Sequence, residues 1–385
     1  MIPRALTDKA QLLLTKFPMV SISGPRQSGK TTFSKLFASD YQYVNLELLD
    51  NRALAQNDPR SFLERYQNRV ILDEVQNVPD LFSYLQVFTD ERNRTGEYVL
   101  TGSQNFLLMQ KITQSLAGRV ALLTLLPFSY FELLEKPSID EFIFKGGYPR
   151  LIQKEISPDD FFPTYIQTYI ERDVRQLIQV QNLSLFQNFL YLMAGRAGQV
   201  FNASSIANDL GVNSQTVEAW TSVLEASYIL FRLPPYYKNF NKRITKAPKV
   251  YFYDTGLLCY LLGIRTEAEI QLHFAKGAIF ENLVILEVMK MHYNQGRRPQ
   301  LYYWRDSNQN EVDLLMQDGL KLHAIEIKAG KTINGEFFKG LTYFKKIAPD
   351  AQLHLVYGGD DYQKRSEATV LGVNHLEQLF IGTSS

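Results

Sequence analysis

Gly24-Pro25-Arg26-Gln27-Ser28-Gly29-Lys30-Thr31 sets two glycines, a lysine and a hydroxyl at the spacing G-x-x-x-x-G-K-[ST]. Residue types in this order suit a phosphate. The glycines allow a tight turn whose N–H groups converge on an anion, the lysine reaches the terminal phosphates, and the hydroxyl can ligate Mg²⁺. The apolar run Met19–Ser23 before it reads as a strand, and Thr32–Phe37 after it reads as the start of a helix. A helix amino end adds its own attraction for anions. Gly24, Pro25, Arg26, Gln27, Ser28, Gly29, Lys30, Thr31 and Thr32 are therefore the candidate nucleotide-binding residues.

A second signal is Arg69-Val70-Ile71-Leu72-Asp73-Glu74, an apolar run that ends in two carboxylates. In a parallel sheet these acids and the glycine loop emerge at the same carboxyl edge. Asp73 would hold Mg²⁺, and Glu74 would polarise an attacking water as a general base. Glu97–Gly102 reads as a further strand with Ser103, Gln104 and Asn105 at its tip, as candidates for the γ-phosphate or the lytic water or simply as a turn. Arg119 precedes the strand Val120–Leu126; it would reach a γ-phosphate in cis or in trans, or serve as a surface arginine.

A third constellation lies near the carboxyl end. Phe280–Val288 reads as a helix carrying Glu281; Leu301–Arg305, Glu311–Met316 and Ala324–Lys328 read as strands. Glu326 and Lys328 share a strand face, because side chains alternate. Asp313, Glu326 and, from the helix, Glu281 would hold Mg²⁺ against a scissile phosphate, with Lys328 stabilising developing charge. The residue pattern alone is common, and an ion-paired core or a nucleic-acid cradle is the alternative. Phe337–Ile347 and Gln352–Val356 read as one more helix and strand.

The chain has 385 residues, 45% apolar and 21% charged, which predicts a soluble globular protein of two or three domains. Lys+Arg 41 against Asp+Glu 40 confines any nucleic-acid partner to local patches. The single Cys259 excludes an internal disulfide and reads as a small core residue. No signal pattern and no long apolar run stand out, which predicts a cytoplasmic protein with no membrane partner.

Residues 1–18 read as an amphipathic helix ended near Pro18, and 150–195 as helical at the spacing of Tyr165, Tyr169, Val174, Leu177 and Ile178. Arg172, between Glu171 and Asp173, reads as a structural ion pair or a nucleotide sensor. Ser204–Val217 has helix-turn-helix spacing, with Gly211 ending one helix and Ser214 capping the next. Tyr228–Leu233 and Val250–Tyr253 read as wing strands. They flank a basic, aromatic loop of Tyr236, Tyr237, Lys238, Phe240, Lys242, Arg243, Lys246 and Lys249. The second helix carries Glu218 and Glu225 without Lys or Arg, so DNA affinity would fall to the wing. A protein partner is the alternative.

Gly24–Thr32, Leu72-Asp73-Glu74-Val75-Gln76, Leu100-Thr101-Gly102-Ser103-Gln104 and Leu116-Ala117-Gly118-Arg119 together resemble a prokaryotic AAA+-type ATPase family. Its members carry a C-terminal domain similar to PD-(D/E)XK nucleases. Pro127–Glu132, Gly146-Gly147-Tyr148-Pro149 and Tyr169–Asp173 fit the same family. The resemblance implies an α/β multidomain fold. It comprises an AAA+-like P-loop domain over 1–150, a helical lid over 151–198, a winged helix over 199–265 and a nuclease-like domain over 266–385. It implies ATP over GTP, Mg²⁺ as the metal, ATP hydrolysis, possible oligomers, and DNA or a protein as the partner.

Overall fold

The computed structural model describes residues 2–103, 116–154, 156–170, 182–236 and 247–380. Gln104, Asn105, Gln114, Ser115, Glu171, Arg172, Asp173, Val174, Leu177, Ile178 and the loop residues Tyr237, Lys238, Phe240, Lys242, Arg243 and Lys246 lie outside them, as does the side chain of Tyr169.

The amino-terminal part is a five-stranded parallel sheet, β1 (Met19–Ser23), β2 (Gln42–Asn45), β3 (Val70–Asp73), β4 (Tyr98–Gly102) and β5 (Val120–Thr124), in the order β2-β3-β4-β1-β5. Every residue of β1, β3 and β4 is buried, as expected of parallel strands covered on both faces. Helix α1 (Thr7–Leu14) is shorter than the predicted amphipathic helix. The chain before it enters the core instead, and Arg4 is buried. Helix α2 (Lys30–Phe37) follows the glycine loop. The pairs Ser23↔Gly102 and Asn45↔Asp73 show that the loop after β1 and the ends of β3 and β4 meet at one edge.

Beyond the sheet, α3 (Leu183–Gly195) precedes a helix-turn-helix, α4 (Ala203–Leu210) and α5 (Ser214–Ala226). Gly211 takes the left-handed conformation (φ 68°) that ends α4. The cap of α5 is Asn213, whose side chain accepts from Thr216 N–H at 2.7 Å; Ser214 is the first helical residue, a correction to the predicted cap. The acids of α5 are accounted for: Arg232 pairs with Glu218 at 2.9 Å and Glu225 at 2.7 Å. Strands β6 (Leu230–Leu233) and β7 (Lys249–Phe252) pair antiparallel. Tyr236 and Lys249, read as residues of the basic loop, are both buried, and Lys249 is the first residue of β7.

Helix α6 (Lys276–Asn294) leads into a six-stranded sheet of order β12-β13-β11-β10-β9-β8. Strands β8 (Leu301–Arg305), β9 (Glu311–Asp318) and β10 (Lys321–Lys328) form an antiparallel meander. Helix α7 (Lys339–Ile347) then returns the chain to β11 (Gln352–Tyr357), parallel to β10. Two strands not predicted, β12 (Tyr362–Lys364) and β13 (Thr369–Gly372), extend this sheet.

One apolar core runs from Phe128 to Leu379 and crosses the predicted boundaries between lid, helix-turn-helix and carboxyl-terminal domain. Cys259 is part of it. Two short motifs, 127–132 and 146–149, are tied into it. Buried Glu287 accepts from Ser129 Oγ at 2.8 Å and Tyr130 N–H at 2.9 Å, while Lys290 Nζ donates to Phe128 O at 2.9 Å. Buried Asp254 accepts from Gly147 N–H at 2.8 Å. A Cβ on Gly147 would sit 2.3 Å from Phe128 O, so only glycine allows this approach.

Candidate functional site

The glycine loop is built as its residue types require. Gly29 has φ 91°, and a Cβ on Gly24 would lie 2.1 Å from Leu125 O. Neither position admits another residue without strain. Gln27 also takes a left-handed conformation, and Thr32 is exposed on the next turn. Lys30 Nζ donates to Gly24 O at 3.0 Å and Pro25 O at 2.8 Å. Its ammonium is folded back on the loop that it would leave to meet a phosphate. The buried Oγ of Ser28 and Oε1 of Gln27 have no hydrogen-bond partner. Arg4 supports the loop from beneath: its guanidinium donates to Ser28 O at 3.2 Å and Leu126 O at 2.7 Å, and pairs with Glu132 at 2.9 Å.

Asp73 is the centre of the opposite wall. Thr31 Oγ1 donates to its Oδ2 at 2.9 Å, Tyr43 OH donates to the same oxygen at 2.6 Å, and Thr101 Oγ1 donates to Oδ1. Burial, then the Asp73 hydrogen bond, pushes the Tyr43 phenol well above its ordinary value, so it stays a donor. A hydroxyl and a carboxylate this close form a hard-oxygen donor set that suits Mg²⁺. Glu74 sits in the left-handed region (φ 56°); its Oε2 accepts from Ser103 Oγ at 3.1 Å and from Gln76 Nε2. Lys30, Thr31, Asp73, Glu74 and Ser103 are thus brought together. Tyr43, Thr101 and Arg4 were not anticipated.

Arg119 is a correction for action in cis. It precedes β5, whose Val120 pairs with Met19 at the amino end of β1, whereas the glycine loop follows the carboxyl end at Ser23. Its guanidinium is engaged with Asp90 at 2.6 and 2.8 Å.

The carboxyl-terminal acids gather around two lysines. Lys328 Nζ lies 2.6 Å from Glu326 and 3.5 Å from Asp313, and Asp313 also accepts from Ile327 N–H at 2.8 Å. Buried Lys249, from β7, lies 2.6 Å from Glu311 and 3.2 Å from Glu281, which also accepts from Tyr251 OH. Burial, then the Asp313 charge, pushes the Glu281 carboxyl up to about 7 and the Glu326 carboxyl up to about 8. Burial opposes the Lys249 charge, but Glu281, Asp313 and Glu311 outweigh it and hold the ammonium above its ordinary value. The predicted metal set of Glu281, Asp313 and Glu326 is not assembled: among the described residues no three such side chains are grouped to hold a metal ion. The lysines stand between them. The donors are of the right kind, and Glu326 Oε2 is buried without a partner, but the arrangement as folded does not fit a divalent ion.

Among the described residues no helix is long and apolar enough to cross a membrane.

Residues 16–134 match the AAA domain family, and 136–268 and 276–376 match two families described as domains of unknown function. An uncharacterized protein of Mycobacterium tuberculosis is 30% identical over 324 residues, covering 83% of this chain and 72% of that protein. One of Haemophilus influenzae is 21% identical over 313 residues, covering 71% and 74%. Among solved structures, a Walker-type ATPase of Pyrococcus abyssi matches 68% of this chain and 96% of its own at TM-score 0.46 and 14% identity. The chain belongs to the same family as the Mycobacterium tuberculosis protein, and its amino-terminal domain is a P-loop domain of the AAA type.

Proposed function

We propose that the protein binds Mg²⁺–ATP at the glycine loop, hydrolyses it, and couples its nucleotide state to the carboxyl-terminal half. The observation that carries this reading is the hydrogen-bonded wall of Thr31, Tyr43 and Thr101 around Asp73, one strand from the loop and next to Glu74. Lys30 would exchange two loop carbonyls for β- and γ-phosphate oxygens. Thr31 and Asp73 would hold Mg²⁺, which supplies positive charge to the phosphates. Glu74 would take the proton of the attacking water, with Ser103 Oγ fixing one carboxylate oxygen. Residues 151–198 serve as the lid in this reading, and 199–265 as a winged helix.

The order α6-β8-β9-β10-α7-β11, with Glu281, Asp313, Glu326 and Lys328 at one end, supports a PD-(D/E)XK-like module that acts on nucleic acid. The lysine-bridged acids favour a second reading of that module, a holder of nucleic acid that does not cut.

Phosphate release and nucleotide binding test the first claim. Lys30→Ala should lose ATP binding. Glu74→Gln should bind ATP yet turn over about a hundredfold more slowly. Wild-type protein that binds no ATP with magnesium, or Glu74→Gln at full speed, would overturn the reading.

A further inference from the structure

A cavity of about 390 Å³ opens where the carboxyl end of α3 faces the first turns of α6. Glu281, Asp313 and Lys328 line its inner wall, and Phe274 stands at its mouth. The carboxylates are recessed, with the Glu281 and Asp313 side chains 16% and 9% exposed, while Lys328 is 35% exposed. The mouth is the reverse: Phe274 is 84% exposed, a ring in solvent backed by the half-buried His273, whose ring lies 4.4 Å away. A Cβ on Gly195 or Gly277 would meet nothing within 4 Å, so packing does not close the entrance.

These dimensions choose between forms of nucleic acid. A cavity this size is at the small end of small-molecule pockets, about 300–1,000 Å³. It is room for one nucleotide and not for a duplex, whose grooves alone are about 6–12 Å wide. An aromatic ring in solvent can stack on an unpaired base, but not on one held inside a duplex. Lys328, the most exposed of the ionised groups lining the cavity, would turn from Asp313, 3.5 Å away, to meet one phosphate.

We propose that this cavity is a single-strand site, taking one unpaired nucleotide with its base on the Phe274 ring and its phosphate at Lys328. The proposal rests on the reading of the carboxyl-terminal module as one that acts on nucleic acid.

Fluorescence anisotropy of the full-length protein in EDTA tests it, with labelled oligothymidine, oligouridine and a DNA duplex of equal length as probes. Either single strand should bind at least about tenfold more tightly than the duplex. Phe274→Ala should weaken single-strand binding about tenfold, Phe274→Trp should restore it, and ATP binding should not change. Equal or tighter duplex binding, or a Phe274→Ala variant that binds single strands like wild type, overturns the single-strand site and leaves the module's reading standing. A protein that takes up ATP but none of the three probes overturns both.

Discussion

At the end of β3, Asp73 is held by three hydroxyls, those of Thr31, Tyr43 and Thr101. At the end of the carboxyl-terminal sheet, Asp313, Glu326, Glu281 and Glu311 are held by the ammonium groups of Lys249 and Lys328, with Arg305 also 3.4 Å from Glu311. Both regions collect carboxylates at strand ends with a lysine nearby, and the difference lies in the partners. Hydroxyls satisfy the lone pairs of Asp73, which makes no ion pair among the described residues, so the wall can accept a cation without losing one. Ammonium groups neutralise, so a cation entering the second cluster must displace a lysine from a buried pair. Charge, more than residue identity, separates a site poised for Mg²⁺ from one already filled.

The sharpest way to break this comparison is to empty the second cluster. Lys249 is 3% exposed, and its side chain joins Glu281 to Glu311. Lys249→Met should destabilise the protein by about 3–5 kcal/mol in chemical denaturation, because the recessed Glu281 loses its cation while Glu311 keeps only Arg305, at 3.4 Å. Adding Glu281→Gln should recover part of that loss, since the remaining partner no longer carries a buried charge. A Lys249→Met protein as stable as wild type would show that the lysine does not fill the cluster.

Sequence legibility follows chain distance. The glycine loop was readable because its residues are consecutive and its chemistry lies largely in backbone N–H groups. The end of β3 was half readable: Asp73 and Glu74 close an apolar run, but Tyr43 arrives by the register of β2 on β3, and Thr101 by that of β4. Period-two patterning gives no register between strands distant in sequence. The basic, aromatic segment around Lys249 does not show that this lysine is buried. The contrary signal was its place at the head of Val250-Tyr251-Phe252, a strand buried throughout. Arg4 gave less warning, since its partner Glu132 is 128 residues away. Strands β8 to β11 were legible as apolar runs and β12 and β13 were not, nor was the shared core from Phe128 to Leu379, because motif boundaries do not report side-chain contacts.

Acidity offers a subtler test of the filled cluster. Burial and the Asp313 charge raise Glu326 from 4.5 in the unfolded chain to about 8. The folded state therefore binds this proton more tightly, and the stability it supplies is complete below pH 4.5 and lost as pH rises through about 8. The loss is on the order of a few kcal/mol, and Glu326→Gln, which cannot ionise, should remove it from the pH dependence of the melting temperature. If wild type and Glu326→Gln show parallel profiles over this range, Glu326 binds its proton alike in the folded and unfolded chain, and burial does not govern it.

Arg119 should give the smallest effect, and its value is in that smallness. It lies at the amino end of β5, away from the glycine loop, with its guanidinium on Asp90 at the protein surface. A residue there has no path to a phosphate at the carboxyl edge of the same sheet. Arg119→Ala should therefore leave turnover within about twofold of wild type at dilutions where the protein is monomeric. The same variant measured at high concentration isolates the remaining alternative. An arginine reaching a neighbouring copy's γ-phosphate would have to leave Asp90, so its removal would lower turnover only when copies associate. A rate that falls equally at both concentrations would contradict the placement of the guanidinium on the far edge, and with it the claim that the lysine loop and the β3 acids suffice within one chain.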